Sequence, residues 1–157
     1  MANTTFSGPV ISTNGFIGAV TGNVTGNITG DIAGTARVTH ATTSAINATA
    51  TATAAEVATG YITSTSAAAT TITLPTGTAL GAAIGAARGT VFDLYVDNTA
   101  GASTVTIAVN TNAILSSAAA DTAGSFGDLT IASGATGLAR YTIMFSSATA
   151  YVFTRTA

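Results

Sequence analysis

The chain has 157 residues, a length that suits one compact domain with an appended arm, and it contains no cysteine. Only 6% of residues are charged, against ~25% in ordinary soluble domains, and the net charge of -2 comes without a single lysine. Such a surface cannot displace counterions from DNA or RNA, and the lack of cysteine excludes a disulfide framework, a thiolate nucleophile and a cysteine metal site.

Residues 1–17, MANTTFSGPVISTNGFI, read as an extended arm. Pro9 disfavours helix at Gly8, and Asn14-Gly15 is a turn signal. The arm is rich in large apolar side chains, namely Phe6, Val10, Ile11, Phe16 and Ile17. It is too short to bury them by itself, so they are expected to anchor it to another surface. No charged n-region or apolar h-region is visible here, so a cytoplasmic, soluble product is expected.

Residues 18–38 carry a tetrad repeat, GAVT, GNVT, GNIT and GDIA, closing on a degraded GTAR. In an extended chain, side chains alternate faces. One face then shows glycines interleaved with Val20, Val24, Ile28 and Ile32, and the other shows Thr, Asn and Asp. A single strand cannot bury that apolar face. Three copies around a common axis can, with glycine permitting close backbone approach. Collagen requires glycine at every third residue, and a soluble helix would lose ~1 kcal/mol per glycine relative to alanine. A flexible Gly/Asn/Thr linker is the remaining alternative.

Residues 39–60 form a low-complexity connector that suits either a helix, striped by Ile46, Ala50, Thr53 and Val57, or a strand through ATATATA. The lone histidine, His40, lies here with no acid or second histidine nearby in sequence, which favours a surface or interface imidazole over a catalyst.

From residue 61 to 157 the pattern is that of an antiparallel β-sandwich or jelly-roll-like domain. Ile72 and Leu74 share a face, as do Phe92, Leu94 and Val96, with Asp93 and Asp97 pointing out. Val105, Ile107 and Val109 follow, then Leu129 and Ile131, then Tyr141, Ile143 and Phe145, with a closing hairpin through SSAT into AYVFTR. DNTAGA reads as a hairpin connection, and TALGAAIGAA as a short helix or a small-residue loop. That apolar run falls far short of the ~18 residues that span a bilayer, so no membrane partner is expected.

Chemistry-bearing patterns are sparse. Asp93 and Asp97 would stand roughly 13 Å apart along a strand, too far for a retaining carboxylate pair at about 5 Å. No EF-hand spacing and no G-x-S-x-G elbow occurs, and Gly77, Gly81, Gly85 and Gly89 lack the lysine of a phosphate loop. Four N-x-T sequons begin at Asn3, Asn23, Asn27 and Asn47 and read as fortuitous in a Thr/Asn-rich chain. No catalytic residue, cofactor or metal is expected.

Three stretches carry a resemblance. TTFSGPVISTNGF, GNVTGNITGDIAG, and TITLP followed by GTVFDLYVDNTAG resemble segments of structural proteins of tailed bacteriophages, especially of marine and cyanobacterial hosts. The resemblance implies a non-enzymatic, homotrimeric virion protein at the capsid surface, a decoration or cement protein whose partner is the major capsid protein. Phe6, Val10, Ile11, Phe16 and Ile17 would anchor it, and Val20, Val24, Ile28 and Ile32 would line the trimer axis. The alternative it implies is a short tail fibre or spike with a receptor-binding C-terminal domain. The absence of tryptophan and of an evident aromatic cluster counts against that alternative.

Overall fold

The computed structural model describes residue 40, residues 42–115 and residues 129–156. The arm and the tetrad repeat, with Phe6, Val10, Ile11, Phe16, Ile17, Val20, Val24, Ile28 and Ile32, lie outside the described residues. What is described is mostly β-strand with few helices, arranged in mixed sheets.

The strands are β1 (Ser44–Ala45), β2 (Ala50–Thr51), β3 (Tyr61–Thr63), β4 (Thr70–Thr73), β5 (Val91–Asp97), β6 (Val105–Ala108), β7 (Ala113–Leu115), β8 (Thr130–Ile131), β9 (Leu138–Ser147) and β10 (Ala150–Arg155). From β1 to β8 each successive strand changes sheet. One sheet has six strands in the order β1-β3-β5-β9-β10-β7, and the other has four in the order β2-β4-β6-β8. The chain therefore winds between two sheets, and its like-numbered turns stack in parallel: β1 on β3 on β5, and β2 on β4 on β6. The long hairpin β9–β10 then pairs antiparallel with itself and with β5, while β10 takes β7 in parallel and β6 takes β8 antiparallel.

Antiparallel pairing throughout was the expectation, and the mixed sheets correct it. Period-two alternation says which side chains face inward, but it is indifferent to the direction of the neighbouring strand. Accordingly, most inward assignments hold: Ile72, Leu74, Leu94, Val96, Val105, Ile107, Ile131, Tyr141, Ile143 and Phe145 are all buried. Val109 does not, because β6 ends at Ala108 and leaves it 50% exposed. DNTAGA is no hairpin, since the strands it joins, β5 and β6, belong to different sheets.

The connector region contributes β1, β2 and a one-turn helix, α1 (Ala54–Ala58), and places Ile46 and Val57 in the core. Thr53 and Glu56 start that helix as a capping box: Glu56 N–H donates to Thr53 Oγ1 at 3.2 Å, and Thr53 N–H donates to Glu56 Oε2 at 2.7 Å. TALGAAIGAA supplies α2 (Gly77–Ile84), capped by Thr76 at its start and by left-handed Gly85 at its end. A Cβ on Gly77 or Gly81 would run into the backbone of the β9–β10 turn, so these glycines let α2 lie directly on the hairpin.

Candidate binding cleft on the six-stranded sheet

Because Ile62, Leu94 and Val96 point into the core, Tyr61 and Tyr95 stand on the outer face of the six-stranded sheet. The parallel register of β3 on β5 sets Tyr61 directly beside Tyr95, and the antiparallel register of β5 on β9 sets Arg140 on Tyr95's other side. The two tyrosine rings lie 6.2 Å apart between centroids and within 24° of parallel.

His40 joins them, with its ring centroid 5.8 Å from Tyr61 and 5.7 Å from Tyr95. Its Nδ1 sits 2.9 Å from the Thr59 carbonyl. A carbonyl only accepts, so Nδ1 carries the hydrogen and the neutral ring keeps Nε2 as an acceptor. Gly60 makes room for the imidazole: its φ is +73°, and a Cβ there would lie 2.6 Å from His40 Cε1.

Two carboxylates brace the face. The Tyr61 hydroxyl donates to Asp97 Oδ2 at 2.9 Å, and Asp97 Oδ1 accepts from the Thr99 hydroxyl at 2.6 Å and its N–H at 2.9 Å. The Thr99 hydroxyl, with help from its N–H and from Tyr61, holds the Asp97 carboxyl below the usual carboxylate range against a smaller opposing effect of burial. The bond to Asp97, followed by burial and by the carboxylate's charge, raises the Tyr61 phenol above its ordinary value. Asp93 accepts from the Thr142 hydroxyl at 2.7 Å and from Arg140 Nε at 3.1 Å. Since both side chains of that ion pair keep a third or more of their surface in solvent, its contribution to stability is small.

Between these groups lies a cleft of about 760 Å³, walled by His40, Tyr61, Tyr95, Phe92, Ile84 and Leu138, with Asp93 and Thr90 at its polar edge. Its size falls within the range of ligand sites. Two polar groups there, the Tyr95 hydroxyl and His40 Nε2, make no hydrogen bond among the described residues, and beside the cleft neither Nη group of Arg140 makes one. Among the described residues no carboxylate hydrogen-bonds the imidazole, and no group of three His, Cys, Asp or Glu could hold a metal ion. The arrangement can grip a flat ring and orient it.

Sequence reasoning named His40, Asp93 and Asp97 singly and missed Tyr61, Tyr95 and Arg140 as neighbours. A signal existed, since each tyrosine occupies an outward position on its strand. The residues expected to anchor the arm or line a trimer axis are outside the described set. The chain matches no family model, no curated protein and no solved structure.

Proposed function

We propose that this chain is a non-enzymatic virion structural protein, a decoration protein that binds the head surface as a trimer and stabilises the shell. The observation that best supports this is an apolar row on the outer face of the six-stranded sheet. Strand register sets Val91, Met144, Val152 and Ile114 side by side across β5, β9, β10 and β7. Val91, Met144 and Ile114 are 52%, 48% and 55% exposed, and no member of the row is charged. A contiguous apolar strip of this kind fits a protein partner better than water. In this reading the partner is the major capsid protein, Phe6, Val10, Ile11, Phe16 and Ile17 add anchorage, and Val20, Val24, Ile28 and Ile32 hold three copies together. Three copies acting at once make weak single contacts persistent.

A short tail fibre or spike is the second reading, and the aromatic cleft favours it. Copy number separates the two. Quantitative mass spectrometry of purified particles should find hundreds of copies in a simple ratio to the major capsid protein. A few to a few tens would place the protein in the tail. For the row itself, Met144→Glu should weaken binding to bare heads at least tenfold, and unchanged binding would remove the sheet face from the interface.

A further inference from the structure

We propose that the cleft beside Tyr61 and Tyr95 is a saccharide-binding site for a neutral pyranose chain. The inference goes beyond shell stabilisation and concerns a different part of the sheet face. The row Asp93–Thr142–Thr154 lies between the cleft's Tyr61–Tyr95–Arg140 row and the apolar row of the preceding section.

The chemistry of the walls selects the ligand. Two stacked, nearly parallel tyrosine rings on adjacent strands, with Phe92, Ile84 and Leu138 lining the same cleft, form an apolar platform against which the C–H face of a pyranose packs. The platform is built before any ligand arrives, with Tyr61 tied by Asp97 and His40 tied by the Thr59 carbonyl. Preorganisation of this kind lowers the entropy lost on binding. Around it stand a hydroxyl that both donates and accepts and an imidazole nitrogen that accepts, with the Arg140 guanidinium beside Tyr95 on the neighbouring strand. This mixture matches a polyol, whose hydroxyls do both. A wholly apolar ligand would leave the same groups desolvated without partners.

Other ligand classes fit less well. The ring centroids lie only 5.7 to 6.2 Å apart, so the aromatics pack on one another and leave no cage for a quaternary ammonium between them. A polyanion would meet one guanidinium already paired with Asp93, on a chain of net charge -2. Neutral sugars remain.

The test uses the full-length protein on an array of neutral, N-acetylated and acidic glycans, followed by saturation-transfer NMR with the free disaccharides lactose, maltose and chitobiose. Binding to neutral or N-acetylated glycans is expected, with ring C–H signals saturated. Tyr95→Ala should weaken it at least tenfold, Tyr95→Phe by less, and Met144→Ala in the apolar row not at all. Binding to array-bound chains but not to free disaccharides would assign the site to a polymer; binding to both would assign it to a terminal unit, and either supports the proposal. Three results would each overturn it: no neutral glycan bound at millimolar concentration, binding confined to acidic glycans, or binding indifferent to Tyr95→Ala in a variant of unchanged circular dichroism. Copy number per particle is read separately, so failure here leaves the head-or-tail assignment untouched.

Discussion

The wound half of the domain, β1 to β6, and the closing hairpin, β9–β10, build one core by different means. The wound strands are two to seven residues long and contribute mostly aliphatic side chains, among them Ile62, Ile72, Leu94, Val96, Val105 and Ile107. The hairpin strands run ten and six residues and bury four aromatic rings, Tyr141, Phe145, Tyr151 and Phe153. Those rings touch one another in sequence, Phe145 with Tyr151 at 5.3 Å, Tyr151 with Phe153 at 6.4 Å and Phe153 with Tyr141 at 6.1 Å. Short parallel strands bury little area per turn and close long loops to do so. The hairpin forms locally and supplies large rings for the winding to rest on. The lesson is a division of labour: the winding gives the outer face its register, and the hairpin gives the core its bulk.

The sharpest way to break this comparison is to remove one ring. Phe145→Ala should destabilise the domain by about 3–5 kcal/mol, whereas Ile72→Val in the wound half should cost about 0.5–1.5 kcal/mol. Urea unfolding of both variants measures the contrast, and equal losses would mean that the winding carries as much of the core as the hairpin does.

Asn98 tests the seam between the two halves. It follows β5, is fully buried, and directs Nδ2 at three carbonyls, those of Ser103 at 2.8 Å, Ala132 at 3.0 Å and Ile131 at 3.3 Å. Since every neighbour of Nδ2 accepts, the amide orientation is fixed, and Oδ1 has no hydrogen-bond partner among the described residues. Its backbone N–H donates to the Gly137 carbonyl, one residue before β9 begins. Asn98→Ala should cost about 1–3 kcal/mol by stranding those carbonyls. Asn98→Asp should cost more, because a carboxylate would then face them. Thermal unfolding of the pair decides it, and a milder effect of aspartate would disprove the carbonyl cluster.

The smallest effect concerns the hairpin's grip on the winding. The buried Tyr151 hydroxyl donates to the Pro75 carbonyl at 2.8 Å, just ahead of α2. Burial raises its pKa above the ordinary 10.0. A phenol that holds its proton more tightly when folded gives stability that is full below pH 10.0 and is lost as pH rises through the folded value. Tyr151→Phe should cost about 1 kcal/mol at neutral pH, and it should flatten the alkaline fall in stability. Denaturation curves from pH 7 to 12 on both proteins check the slope. Identical alkaline limbs would transfer the effect to another group.

Much of the inside was legible from the chain. Inward positions on β4, β5, β6 and β9 follow from alternation, because burial on one face of a strand imposes it. The capping box of Thr53 and Glu56 was as local, although the surrounding alanine and threonine masked it. Pairing was not legible. Nothing in Tyr61 or Tyr95 announces that strands 34 residues apart in register will lie side by side, and DNTAGA looks the same whether it returns to its own sheet or crosses to the other.

The sequence by itself determined a β-rich, weakly charged domain, many of the residues that line its core, and the want of any lysine or cysteine chemistry. Those properties are local or compositional, set by side-chain size, charge and a two-residue period. Only the tertiary structure decided that the strands wind in parallel between two sheets, that Val91, Met144, Val152 and Ile114 form one row, and that His40 meets Tyr61 and Tyr95 in a cleft that Asp93 also lines. These depend on register between distant strands, which the burial of all the faces together selects and which no single segment encodes.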